Sequence, residues 1–191
     1  MPYQRKNWTF QEILKALQNP VHSKSGPKAH SSKHATVGEL ASHPLFQKAR
    51  VEALIVDDKH KESNIIYQTA SKSQQKKHPM PSPEVGTHST LDGSLVAKAL
   101  ESAFNSIVLQ PHLAQLDAGK DMKVFINYSN SIGKGWVFRT GWNPSQQDMF
   151  CLFVYLKPNP RNKDIPIFQT VVPHTKPKVS SGPKSTPVVK I

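Results

Sequence analysis

The chain has 191 residues, and 25 Lys and Arg residues against 13 Asp and Glu residues give it a formal net charge of +12. This length suffices for one domain with a hydrophobic core, and the single cysteine, Cys151, excludes an internal disulfide. No run of about 18 apolar residues occurs, and no apolar segment marks the N-terminus. We therefore expect no membrane insertion and no secretory signal.

The N-terminal part of the chain is predicted to be helical with long polar connections. Thr9 and Glu12 have the spacing of a capping box, and the apolar residues after them recur at helical spacing, which predicts a helix over 9–18. Residues 19–35 are rich in Pro, Ser, Lys and His, which is typical of an irregular loop. A second capping box starting at Thr36 predicts a helix that Pro44 interrupts and that resumes to residue 54. A short strand is predicted over 65–67, and 71–87 is predicted to be a polar insertion.

The second half shows helices followed by consecutive strands. Asp92 is placed to cap a helix, and a shorter helix over 112–116 is expected to end near Gly119. Alternation with a period of two then predicts strands over 122–128, 134–140, 149–157 and 165–172. This order predicts an α+β fold with an antiparallel sheet of four or more strands. The basic tail over 174–191 is expected to be disordered.

The positive charge is concentrated in tracts that contain lysine and no acid. Such tracts lie in 13–38, in 72–77 and after residue 173. Solvated loops would account for any one of them, but together they favour contacts with phosphates, whose counterions are released on binding. No basic amphipathic helix accompanies them, so an anionic membrane surface is the less favoured partner.

Three histidines lie in or next to the first basic tract, and they leave several interpretations open. His30 and His34 are four residues apart and have the spacing of a zinc pair on one helical face, although no third ligand is evident. Imidazole also titrates near neutral pH, so His30, His34 or His43 could transfer the proton of a ribose 2′-hydroxyl without a metal. The remaining interpretation is that they are surface histidines in a chain that contains nine.

Three stretches resemble a known family. The sequence from Lys33 to Leu40 resembles the His-Val-Gly-Lys helix entry of bacterial ribonuclease A-like toxin domains, which occur at the C-termini of contact-dependent growth-inhibition proteins and other polymorphic toxins. The sequence from Ser89 to Asp92 is similar to the family's Ser-Thr-Phe-Thr-Asp helix entry, and the last strand up to Pro173 is similar to its terminal Thr-x-Tyr-Pro strand. The motifs follow one another in the same order over residues 30–173.

This resemblance implies a ribonuclease A-like fold without disulfides and a set of site residues. It gives His34 the role of general acid–base, and our hypothesis adds His30 or His43 as its partner. It places Thr170 against the nucleotide or phosphate. Val172 stands where the family has a tyrosine, and His43 lies near the place of a family arginine. Lys33 and Lys134 are the lysines expected to contact substrate.

The predicted function is a metal-independent RNA endonuclease toxin that needs no cofactor. Its expected partners are tRNA or another cellular RNA and a cognate immunity protein, and it is expected to act in the cytoplasm, after delivery if it is a toxin module. Residues 1–29 would form an N-terminal helix and basic loop, 30–173 the catalytic domain and 174–191 the tail. The alternative is a non-catalytic nucleic-acid-binding protein that stacks bases on Trp136, Phe138 and Trp142.

Overall fold

The computed structural model describes residues 3–5, 7–18, 34–36, 45–48, 66–77, 87–139, 144–179 and 185–191. The described helices are α1 (Phe10–Gln18), α2 (Lys72–Lys77), α3 (Gly93–Phe104) and α4 (Gln110–Asp117), with helical turns at 45–48 and 66–69. The strands are β1 (Ala35–Thr36), β2 (Thr87–Asp92), β3 (Met122–Asn127), β4 (Gly133–Arg139), β5 (Ser145–Met149), β6 (Cys151–Lys157), β7 (Ile167–His174) and β8 (Val188–Lys190). The predicted α+β class is confirmed.

The strands form two four-stranded sheets. The first has the order β1-β2-β4-β5 and the second the order β7-β6-β3-β8. Pairing is antiparallel except at one edge of each sheet, where β1 runs parallel to β2 and β8 runs parallel to β3. The predicted α+β fold with antiparallel pairing is therefore confirmed as two four-stranded sheets, each with three antiparallel strands and one parallel edge strand.

One hydrophobic core joins the N-terminal helix to the rest of the protein. Helix α1 packs on α3, and the rings of Trp8 and Phe104 meet edge to face at 5.2 Å between centroids. Ile13 and Leu17 on α1 are buried in the same cluster as the apolar residues of α3 and β3. Burying such a side chain contributes roughly 1.5–3 kcal/mol. The helix predicted within residues 1–29 is thus part of the main core rather than a separate unit.

The predicted helix starts are confirmed by their capping hydrogen bonds. At α1, the Glu12 carboxylate accepts from the Thr9 backbone N–H at 3.0 Å and from its hydroxyl at 2.9 Å. At α3, Asp92 Oδ1 accepts from the backbone N–H of Ser94 at 2.8 Å. Gly119 follows α4 with φ of +75°, a conformation that glycine adopts without a steric cost.

The predicted strand over 149–157 is divided between the two sheets. Strand β5 ends at Met149 and pairs with β4, whereas β6 begins at Cys151 and pairs with β3 and β7. Phe150 is therefore the residue at which the chain passes from one sheet to the other. Residues 145–148 are polar and exposed, so no apolar alternation revealed β5 in the sequence.

The middle of the chain contains helix that the sequence did not predict. The strand expected over 65–67 is absent, since 66–69 is helical. The polar insertion predicted over 71–87 contains α2, which begins with a capping box. The Gln74 N–H donates to the Ser71 hydroxyl, and the Gln74 side-chain oxygen accepts from the Ser71 N–H and hydroxyl. Of the second predicted helix, 45–48 is helical and Thr36 lies in β1, while 37–44 and 49–54 lie outside the described residues.

The prediction of a disordered tail is wrong for its last residues. Strand β8 pairs with β3, placing Val188 opposite Phe125 and Val189 opposite Ile126. The Phe125 N–H donates to the Pro187 carbonyl at 2.8 Å, and Val189 is buried. The open edge of β3 supplies hydrogen-bond partners and an apolar surface that the tail's own composition did not indicate.

Two general expectations concern the thiol and the membrane. Cys151 is fully buried, and burial raises its pKa to about 11. Within the described ranges, no helix is long and apolar enough to cross a lipid bilayer.

Candidate functional site

His34 is held by a backbone carbonyl on strand β2. Its Nδ1 lies 2.6 Å from the Ser89 carbonyl oxygen, and the residue is only 7% exposed. A carbonyl oxygen has no proton to give, so Nδ1 must carry the proton and donate it. In the neutral ring Nε2 is then the basic nitrogen. The sequence placed His34 in a loop open to solvent, whereas the structure buries it next to β2.

Ser89 connects this histidine to the second sheet. Its hydroxyl donates to the carbonyl oxygen of Pro173 in β7, and Ser89 itself is 6% exposed. The adjacent His174 carbonyl accepts from Phe150 on the β6 side, so the Pro173 carbonyl points to the opposite side, towards β2. His34 therefore lies where β2 meets the C-terminal end of β7.

The two site residues predicted on β7 lie on its outer face. Thr170 is opposite Tyr155, and Val172 is opposite Phe153. Both are half-buried, whereas Val171 faces the core and is fully buried. Thr170 is three residues before Pro173, or about 10 Å along the strand at 3.3 Å per residue. His34 thus contacts β2, and Ser89 joins β2 to the end of β7, three residues beyond Thr170.

The other predicted residues are only partly covered by the described ranges. Lys134 is exposed on β4, three residues from Val137, which pairs with Ser89. That separation is about 10 Å along the strand. His30, Lys33 and His43 lie outside the described residues.

Two of the three aromatic residues of the alternative interpretation, Trp136 and Phe138, lie within the described residues. Phe138 is 4% exposed and belongs to the interior. Trp136 is half-buried, with its indole nitrogen inside, and the Lys48 ammonium lies 5.6 Å from its ring centroid. Trp142 lies outside the described residues. Burial of Phe138 agrees with cross-strand packing rather than with base stacking.

The sequence interpretation missed a group of aromatic and basic side chains on the outer face of the second sheet. We define the aromatic–lysine face by Phe125, Phe153, Tyr155, Lys123 and Lys157. The Phe125 and Phe153 rings are 5.1 Å apart, and the ammonium groups of Lys123 and Lys157 lie 4.7 and 5.4 Å from the Tyr155 centroid. The signal was present in the alternation of β3 and β6, where the outward positions 123, 125, 153, 155 and 157 are aromatic or basic.

His174 lies at the end of β7, two residues beyond Val172, on the same outer face. Its ring centroid is 5.8 Å from that of Phe125. Burial, assisted by the Lys178 charge, lowers the pKa of His174 to about 4. This imidazole is therefore neutral near pH 7 and does not add to the positive charge of the sheet.

Comparison with known proteins assigns no function to this site. The chain matches no family model, no curated protein and no solved structure. Its chemistry is that of an imidazole in a fixed tautomer beside a strand edge, in a protein with a net charge of +12. An imidazole can accept or donate a proton, and a net positive charge favours contact with anions.

Proposed function

We propose that this protein is a metal-independent RNA endonuclease that cleaves by attack of a ribose 2′-hydroxyl on the adjacent phosphate. The observation that carries the proposal is the 2.6 Å contact between His34 Nδ1 and the Ser89 carbonyl oxygen. It fixes the tautomer in which Nε2 accepts a proton, which is the form that a general base requires. The resemblance of residues 30–173 to ribonuclease A-like toxin domains supports the same assignment.

The reaction needs one base and one acid. His34 Nε2 takes the proton of the 2′-hydroxyl while O2′ forms a bond to phosphorus. The bond from phosphorus to O5′ breaks, and a second histidine protonates the departing O5′, which leaves a 2′,3′-cyclic phosphate and a 5′-hydroxyl. His30 or His43 is the proposed donor. His174 is unsuited, since its pKa of about 4 leaves almost none of it protonated at pH 7.

Binding of the substrate rests on charge and on strand β7. Lys33 and Lys134 are proposed to contact phosphate oxygens and to stabilise the charge that develops on them in the transition state. Thr170 is proposed to contact the nucleotide, with Val172 beside it. By the same resemblance, we propose that the protein acts as a toxin on tRNA or another cellular RNA in the cytoplasm, after delivery, and that a cognate immunity protein blocks it.

Cleavage of a labelled single-stranded RNA in EDTA tests this proposal. We expect 2′,3′-cyclic phosphate ends, a bell-shaped pH–rate profile, and a loss of about 10²–10⁴-fold in rate for His34→Ala, which is the usual contribution of general acid–base catalysis. His112→Gln, a change at a half-buried histidine on α4, is the matched control and should retain the rate. Undiminished cleavage by His34→Ala would remove His34 from the mechanism. Abolition of cleavage by EDTA would instead support a metal site on His30 and His34.

A second candidate function is nucleic-acid binding without catalysis. It is favoured by the aromatic–lysine face, where three rings and two ammonium groups lie together on one sheet surface. Both functions predict binding that weakens with salt. Only the enzyme yields cyclic-phosphate ends, so analysis of the products distinguishes the two.

A further inference from the structure

The outer face of the second sheet consists of rows of side chains that cross its strands. One row contains Thr170, Tyr155 and Lys123. The next contains Val172, Phe153, Phe125 and Val188. Their half-buried or exposed side chains lie opposite the buried residues of the same strands, so they are turned away from the core. The predicted substrate residues Thr170 and Val172 therefore stand directly beside the aromatic–lysine face.

One end of this face is covered and the other is open. Residues 175–179 leave β7 and cross the sheet, where the Lys178 N–H donates to Asn127 Oδ1 at 2.9 Å and Asn127 Nδ2 donates to the Lys178 carbonyl at 2.7 Å. Cys151, which faces outwards in the Asn127 row, is fully buried. The row of Tyr155 lies four residues further along the strands, and Lys123 in that row is exposed.

The charge around the rings is predominantly positive. The ammonium groups of Lys123 and Lys157 flank the Tyr155 ring, and that of Lys178 lies 6.0 Å from the Phe125 centroid. Lys190 on β8 is exposed in the Asn127 row. Asp121 adds a negative charge beside these lysines. Its carboxylate accepts a hydrogen bond from the Tyr155 hydroxyl at 2.6 Å, which fixes the orientation of the ring.

We infer that the aromatic–lysine face binds the bases and phosphates of single-stranded RNA. Aromatic rings provide surfaces for unpaired bases, and ammonium groups at the margins of the rings meet the backbone phosphates between them. A duplex keeps its bases stacked inside, so it cannot use the rings. The inference rests on the proposed function in one respect: RNA bound on this face would lie beside Thr170, the residue proposed to contact the nucleotide.

Anisotropy with a fluorescein-labelled 12-nucleotide single-stranded RNA tests the inference. We would use the full chain carrying His34→Ala, so that cleavage does not interfere. Adding Tyr155→Leu should weaken binding by about 5-fold or more, since stacking on an aromatic side chain contributes about 1–3 kcal/mol per base. Tyr155→Phe keeps the ring and should bind as tightly as the parent. Neither change should alter binding of the matching RNA duplex.

A second variant keeps the test valid if Tyr155→Leu fails to fold. Lys123→Gln, at an exposed position, should weaken single-strand binding and reduce the slope of log K against log salt by about 0.7. Lys98→Gln, an exposed lysine on α3, is the matched control and should change neither. Equal affinities for Lys123→Gln and Lys98→Gln, or for Tyr155→Leu and Tyr155→Phe, would overturn the inference.

The inference and the proposed function fail in different ways. If the chain with His34 intact cleaves no RNA, but Tyr155→Leu still weakens single-strand binding, the nuclease proposal fails and this surface stands. If cleavage depends on His34, but the face variants bind the 12-nucleotide RNA as the parent does, the inference about the binding face fails and the nuclease proposal is supported.

Discussion

Replacing Ser89 by alanine should destabilise the junction between the two sheets. The Ser89 hydroxyl donates to the Pro173 carbonyl, and both residues are buried. Alanine leaves that carbonyl without this donor in a place that water does not easily reach. An unsatisfied buried acceptor costs about 1–3 kcal/mol, which for a protein of this size lowers Tm by about 2–12 °C.

Urea denaturation of Ser89→Ala beside the unaltered chain measures this loss directly. Ser94→Ala, at an exposed position in the first turn of α3, is the control and should stay within about 0.5 kcal/mol of the parent. If the unfolding free energy of both proteins falls with urea concentration at the same slope, the shift in midpoint reports a change in stability. If Ser89→Ala unfolds at the same urea concentration as Ser94→Ala, the hydrogen bond between β2 and β7 does not hold the site together.

Two further predictions follow from buried groups on the second sheet. Cys151 is fully buried with a pKa of about 11, so a thiol reagent at pH 8 should label it only after denaturation, and rapid labelling of the native protein would contradict its position beneath residues 175–179. His174 has a folded pKa lowered to about 4, below its unfolded value near 6.5, so the unfolded state binds the proton first as the pH falls. Its contribution to stability should thus be complete above pH 6.5 and decline towards pH 4. His174→Gln should reduce the difference between the free energies of unfolding measured in urea at pH 7 and at pH 5. An unchanged difference would show that other groups cause it.

The residues chosen from the sequence do not by themselves define the geometry of the candidate site. Sequence reasoning selected His34 and Thr170, but it could not show that a carbonyl on β2 fixes the tautomer of the histidine. That carbonyl is 55 residues away along the chain, and the contact from Ser89 to Pro173 spans 84 residues. A carbonyl is common to every residue, so no side-chain pattern indicates which one will accept the bond.

The sequence by itself determined the features whose partners lie within a few residues. The Thr9–Glu12 capping box, the Asp92 cap and the alternation in β3 and β6 depend on local geometry, and the structure confirms them. Only the tertiary structure decided which strands became neighbours. Val188 and Val189 became a strand because β3 had an open edge, and Phe125, Phe153 and Tyr155 became one face because β3 and β6 pair in a particular register. Pairing between distant strands depends on the surfaces that the rest of the fold leaves open, which no short stretch of sequence contains.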